Sequence, residues 1–240
     1  MIIEACVNSA ISAIEAQRGG ADRVELCENL HDGGTTPSAG AILFARKSLH
    51  IGLYVMIRPR GGDFLYSDDE FEIMKEDIRV AREIGADGVV FGILKPDGTI
   101  DKARMKELVE LARPMGITCH RAFDMTTDPF LAMEDLIDLG IDRILTSGQQ
   151  KTALEGAALI CDLIYKSNGR IIIMPGSGVK EGNIEELIRI TGAKEVHIHL
   201  EKQEPSRMIF KQPSVYMGIP YQSEFEHTIT DWERIRKVRS

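Results

Sequence analysis

Four times in this chain a glycine, a small or apolar residue and a charged residue close one segment and open the next. They are Gly20-Ala21-Asp22, Gly85-Ala86-Asp87, Gly140-Ile141-Asp142 and Gly192-Ala193-Lys194. Glycine at such a point accepts the left-handed backbone that ends a helix, and the residue after it packs as the chain turns back. A β-branched run follows each of the four. The strand runs predicted on this basis are 2–7, 23–27, 52–58, 88–92, 117–122, 143–146, 170–174 and 195–200. Between them lie helix patterns at 10–19, 39–48, 69–84, 101–112, 129–139, 152–167 and 183–190, with a last helix at 224–238. About eight units of roughly thirty residues predict an α/β protein, a single closed (β/α)8 TIM-type barrel domain over residues 1–240. An open doubly wound sheet competes with this. It would carry Gly-x-Gly-x-x-Gly after its first strand, where Val7-Asn8-Ser9-Ala10 stands instead.

The segment 201–222, with Pro205, Pro213 and Pro220, breaks the rhythm as an irregular excursion before the last helix. A lid, a surface for another subunit and a passive excursion fit it equally.

Hydrophobic residues make up 43% of the 240, enough for one large core. A net charge of -8 speaks against nucleic acid, whose phosphates call for clustered Lys and Arg. The start, Met1-Ile2-Ile3-Glu4, reaches an acid at once and lacks the marks of a signal peptide, and no apolar run is long enough to span a bilayer, so no membrane partner is expected. Four scattered cysteines predict reduced thiols and a cytoplasmic protein rather than a disulfide framework.

In such a barrel, functional side chains rise from the C-terminal strand ends. Strand parity puts Glu4 with Cys6, Glu25 with Cys27, Tyr54 with Met56 and Arg58, Thr118 with His120, and His197 with His199 on inward faces. Glu4, Glu25 and Arg58, on neighbouring strands about 4.8 Å apart, are expected to share a charge-assisted cluster. That cluster is either a structural filling or acid, base and ligand chemistry beside a substrate. His120 is a candidate general base or metal ligand, with Arg121 and Asp124 on the loop after it. Cys6 and Cys27 can meet; two thiolates and a histidine suit Cu(I), against the alternative of two buried apolar residues. Cys119 and Cys161 read as core. Gly176 and Gly178, in the loop after the seventh strand and before Asn183, are candidate anion-binding positions, weakened by Glu201 after the eighth strand. Ser147 lies on a polar loop fit to hold substrate or water, and the absence of a lysine at the strand ends there speaks against a Schiff-base aldolase.

Several stretches together resemble the CutC family of copper homeostasis proteins: Glu4-Ala5-Cys6, Gly20-Ala21-Asp22-Arg23-Val24-Glu25-Leu26-Cys27, Gly33-Gly34-Thr35-Thr36-Pro37-Ser38, Ile57-Arg58-Pro59-Arg60-Gly61-Gly62-Asp63-Phe64, His120-Arg121-Ala122-Phe123-Asp124 and Leu145-Thr146-Ser147-Gly148. The resemblance runs from Glu4 through His197. It implies a cytosolic TIM-type barrel, a homo-oligomer, with Cys6 and Cys27 as Cu(I) ligands and no organic cofactor. After His197 the chain departs from the family pattern, and His199 is a candidate extra ligand. The competing expectation is an enzyme acting on a small polar or anionic metabolite, with Glu25 or His120 as acid or base and Arg58 and Arg121 holding the anion.

Overall fold

The computed structural model describes every residue except Pro213, Tyr216, 218–222 and Ser240. Eight parallel strands alternate with helices. In chain order these are β1 (Ile2–Val7), α1 (Ala10–Gly19), β2 (Arg23–Leu26), α2 (Ala39–Ser48), β3 (Gly52–Met56), α3 (Asp68–Ile84), β4 (Gly88–Phe91) and α4 (Lys102–Ala112). Then come β5 (Gly116–Cys119), α5 (Pro129–Asp138), β6 (Arg143–Thr146), α6 (Ala157–Ser167), β7 (Ile172–Pro175), α7 (Ile184–Thr191) and β8 (Glu195–Ile198). The sheet runs in the order β7-β6-β5-β4-β3-β2-β1-β8. Curved round on itself, it forms a nearly closed (β/α)8 barrel, and among the described residues β7 and β8 share no strand pairing.

The helix ends follow the glycine signal. Gly20, Gly85 and Gly192 close α1, α3 and α7 in the left-handed region, at φ 92, 92 and 71°. Side chains on the outer strand faces, Val24, Leu26, Leu53, Val55, Val89 and Ile117 among them, are fully buried against the helices. Cys119 joins this layer, and burial, with the charge of Asp124, pushes its thiol up to about 12. Cys161 is only half-buried.

The barrel floor is polar. Arg23 on β2 reaches Glu4 on β1 and Glu195 on β8, and Arg143 on β6 reaches Glu195 at 2.6 Å. Both guanidinium groups lie over the ring of Tyr54, at 4.9 and 5.5 Å from its centroid. The ring has that place because Gly88 and Gly116 face it from β4 and β5; a Cβ at either would collide with it.

Two elements differ from the sequence expectation. The excursion begins with a strand, β9 (Glu201–Pro205), which pairs antiparallel with β10 (Glu226–Thr230), so the last helix, α8 (Trp232–Arg239), starts later than predicted. Thr228, Ile229 and Thr230 carry a β-branched strand signal that the helical spacing of Phe225, Ile229 and Trp232 obscures. Of the excursion's three prolines, Pro205 ends β9, while Pro213 and Pro220 lie outside the described residues. α6 is also shorter than expected, because residues 152–156 form a turn in which Glu155 N–H donates to Thr152 Oγ1.

Candidate functional site

Parallel register aligns Cys6 with Glu25 and Glu4 with His197. Side-chain alternation then brings the inward residues of β1, β2 and β8 together at the barrel mouth. Sγ of Cys6, Sγ of Cys27 and a Glu25 carboxylate oxygen lie within 4.8 Å of one another. Ligand atoms of Glu4, Glu25 and His197 form a second set under the same limit, so Glu25 joins the two. His197 Nδ1 is 2.8 Å from Glu4 Oε1, and its Nε2 is 3.8 Å from Glu25 Oε2. The Cys27 thiol donates to Glu25 Oε2 at 3.5 Å. Glu25 Oε1 has no hydrogen-bond partner although it is buried.

Burial and close contact split the protonation of these groups. Burial alone would raise Glu4, but the hydrogen bond from His197 and the charge of Arg23 hold it at about 2. Burial raises Glu25 well above the usual carboxylate range; His197 opposes this, and the nearby Cys6 and Glu4 charges add to it. The hydrogen bond from Cys27 lowers the Cys6 thiol, against burial, and raises Cys27 in turn. Burial would lower His197, yet Glu25, Cys6 and Glu4 together raise it well above 6.5. The result is a thiolate-leaning Cys6 beside a charged imidazole, with proton-bearing Cys27 and Glu25 next to them. Met56 and Val90 pack against the sulfurs, and Gly34 closes over Cys27.

Arg58 does not enter the carboxylate cluster expected of it. Its guanidinium donates to the carbonyls of Asp32, Gly34 and Gly62 at 2.6, 2.8 and 2.7 Å and lies 5.1 Å from the centroid of the Phe64 ring. β3 stops at Met56, so Arg58 sits in the loop above the sheet just before Pro59, where the chain is turned out of the strand. Its role is to fasten the β2 loop down over Cys27. The charge expected beside Glu4 comes instead from Arg23, two residues before Glu25 on β2, which sequence reasoning did not single out.

His120 turns its Nδ1 toward the backbone, where it accepts from Ala122 N–H at 3.2 Å and caps a 3₁₀ turn over Arg121–Met125. That leaves Nε2 as the proton-bearing nitrogen, buried and unpartnered, and burial together with Arg58 lowers the imidazole to about 3. This disposition fits a hydrogen-bond donor rather than the base that sequence reasoning put there. Tyr66 Oη and Arg58 Nε are likewise buried without partners, and Arg58 and His120 share the Phe64 ring.

Asp124 is saturated: it accepts from Thr146, from the hydroxyl and N–H of Ser147, from Gln149 N–H and from Arg121. Arg121 also donates to Ser147 Oγ at 2.8 Å. The three residues tie the loops after β5 and β6 together, which leaves Asp124 no lone pair for acid or base chemistry. Gly176 and Gly178 serve packing. Gly176 N–H donates to Thr146 O, and a Cβ there would stand 3.1 Å from His197 Cβ. Gly178, at φ 71°, accepts from Asn183 Nδ2. Asn183 makes no side-chain cap. The anion-cradle expectation therefore finds no support in these two glycines. His199 is half-exposed and paired with Glu201 at 3.0 Å.

Among the described residues no helix is long and apolar enough to cross a membrane. Residues 1–202 match the sequence profile of the CutC family. A human protein named copper homeostasis protein cutC homolog is 48% identical over 240 residues, covering 100% of this chain and 88% of its own. A family protein CutC of Parabacteroides distasonis is 51% identical over 237 residues, with 98% of each chain covered. The crystal structure of a CutC from Streptococcus agalactiae superposes with a TM-score of 0.79 at 37% identity, covering 82% of this chain and 97% of that one. A thiamine phosphate pyrophosphorylase from Pyrococcus furiosus shares only the fold, at TM-score 0.56 and 14% identity over 82% of this chain and 85% of its own.

Proposed function

The chain belongs to the CutC family, and from that premise we propose that it handles copper in the cytosol by binding Cu(I) at the barrel mouth through Cys6 and Cys27. The observation that carries the reading is the convergence of two sulfurs from neighbouring strands, side by side in a buried site. Soft thiolates suit Cu(I), which takes few ligands, whereas a closed zinc site asks for four. Glu25 is the third ligand atom within reach of both sulfurs, and His197, in contact with Cys6, is the nearest imidazole. Met56 packs beside the sulfurs and keeps the site apolar on that side. Arg58, holding the β2 loop, keeps water off Cys27. Self-association belongs to the same reading, and the exposed Ile209 and Phe210 offer an apolar surface for it.

The test is an anaerobic Cu(I) titration against a chromophoric chelator. Wild-type protein binds one equivalent, and Cys6→Ser and Cys27→Ser each lower the affinity at least a hundredfold. Equal weak binding by all three proteins would refute the assignment.

A second reading, acid–base chemistry on a small polar metabolite, is favoured by one feature. Glu25 is buried, held in its protonated form, and offers Oε1 without a partner. A metabolite that shifts the melting temperature of wild type but not of Glu25→Gln, with Cys27→Ser unaffected, would move the assignment to that reading.

A further inference from the structure

Strand register puts Glu4 directly between Arg23 on β2 and His197 on β8, its Cα partners on the two neighbouring strands. Each takes one oxygen of the fully buried carboxylate. Oε2 accepts from Arg23 Nε, and Oε1 faces His197 Nδ1 at 2.8 Å. Arg23 is itself held by Glu195 at 2.8 Å and by the Tyr54 ring, whose centroid lies 4.9 Å from the guanidinium carbon. Gly176, just after β7, leaves the imidazole its place, since a Cβ there would stand 3.1 Å from His197 Cβ and 3.3 Å from Cδ2. With Nδ1 committed to Glu4, the other ring nitrogen is turned toward the sulfurs. Nε2 lies 3.8 Å from Glu25 Oε2, the same oxygen that is 3.5 Å from Cys27 Sγ, and the ring contacts Cys6.

We infer that Glu4 is a positioning residue: it holds His197 so that Nε2 becomes a ligand of the copper bound by Cys6 and Cys27, and it is not itself a ligand. The inference rests on the Cu(I) reading above and deepens it by one ligand and that ligand's support. Glu4 falls within ligand distance of Glu25 and His197, but a metal taking one of its oxygens would have to displace Arg23 or His197. A histidine ligand ordinarily donates its second ring N–H to a carboxylate, which fixes the ring's orientation and which nitrogen keeps its proton. Here a half-turn of the ring about Cβ–Cγ would set carbon in place of both nitrogens and forfeit a charge-assisted hydrogen bond in a buried site. As the bond from Cu(I) to Nε2 forms, the proton on Nε2 leaves to solvent. The Nδ1 proton stays between the ring and Glu4, and copper remains in the +1 state.

Glu4→Gln separates this role from space filling. The side chain keeps its shape, but Arg23 can only donate, so the amide oxygen turns to Arg23 and the amide NH2 to His197. Nδ1 must then accept, the imidazole proton moves to Nε2, and that nitrogen is closed to the metal. Arg23 keeps Glu195 as its carboxylate partner in the variant.

The experiment is an anaerobic Cu(I) titration of the full chain against a chromophoric chelator, for wild type, Glu4→Gln, His197→Ala and the double variant. It is paired with 15N NMR of Cu(I)-loaded wild type labelled at histidine. Glu4→Gln and His197→Ala are each expected to weaken binding about ten- to a hundredfold. Because Glu4 acts through His197, the double variant is expected within about threefold of His197→Ala alone. The spectrum should show a proton on Nδ1 of His197 and none on Nε2. A loss below tenfold in Glu4→Gln or in His197→Ala, or a further loss above threefold in the double variant, would overturn the positioning role and leave thiolate binding standing. Should Glu4→Gln fail to fold, the wild-type spectrum decides, and a proton on Nε2 of the loaded protein overturns the inference. Wild type that binds no Cu(I) would overturn the underlying assignment as well.

Discussion

Replacing His120 by asparagine removes a titrating group and keeps an acceptor where the 3₁₀ turn needs one. The asparagine Oδ1 falls near the position of imidazole Nδ1, and asparagine is among the favoured capping residues. In the folded chain the buried imidazole beside Arg58 has its pKa lowered to about 3 from an unfolded value of 6.5. The depressed folded value fixes the sign. Below pH 6.5 the unfolded chain takes up a proton that the folded chain refuses, so stability falls with pH until the folded imidazole titrates near 3. From pH 7.5 to 5.0 this difference amounts to about 2 kcal/mol, at about 1.36 kcal/mol per pKa unit. His197 acts in the opposite sense. Its raised pKa adds stability that is fully present below 6.5 and lost as pH rises through the folded value, so the wild-type curve alone mixes the two. The informative quantity is the gap in unfolding free energy between wild type and His120→Asn, measured by urea denaturation across this range. The variant loses the packing of the imidazole against Phe64, so wild type is the more stable at pH 7.5, and the gap should shrink by about 2 kcal/mol at pH 5.0. A gap constant within about 0.5 kcal/mol would refute the neutral, capping imidazole.

Two further changes test the framework around the site. Arg58→Lys keeps the charge but not the fork that holds three carbonyls, so it should cost about 3 kcal/mol in urea unfolding. The freed β2 loop should also let iodoacetamide reach Cys27 at least tenfold faster by peptide mapping, and an unchanged alkylation rate would refute the clasp. Glu195→Gln leaves Arg23 and Arg143 buried with one charge fewer between them, at an expected cost of about 3–5 kcal/mol. A variant within about 0.5 kcal/mol of wild type would show the floor network to be dispensable.

Much of this was legible in the sequence, for reasons that can be located. The glycine signals set the βα repeat because few other residues accept a left-handed helix end, and alternation along short strands was enough to gather Glu4, Cys6, Glu25, Cys27 and His197. What parity could not supply was depth. Arg23, Arg143 and Glu195 are the first residues of their strands, where a charge ordinarily meets solvent, and only register and closure place them under the site. Arg58 was misplaced for the complementary reason: β3 ends two residues before it, so the alternation used to aim it no longer applied. His120 was recognised as an inward polar group and Asp124 as a member of the loop after it, but which lone pairs remain free depends on backbone N–H groups that a residue pattern does not display. β9 was hidden because it opens a stretch whose prolines suggested no regular structure, and β10 because its residues read as the start of the last helix.

The missing pairing between β7 and β8 gives the barrel a joint closed by side chains rather than by a ladder of amides. Arg143 on the β7 side and Arg23 on the β1 side both grip Glu195, like a single clasp across an unsewn edge. Such a ring has a preferred place to breathe. Its opening would respond to ionic strength more than a seam of backbone hydrogen bonds does, while β3 and β4, farthest round the circle, stay shut until the whole chain comes apart.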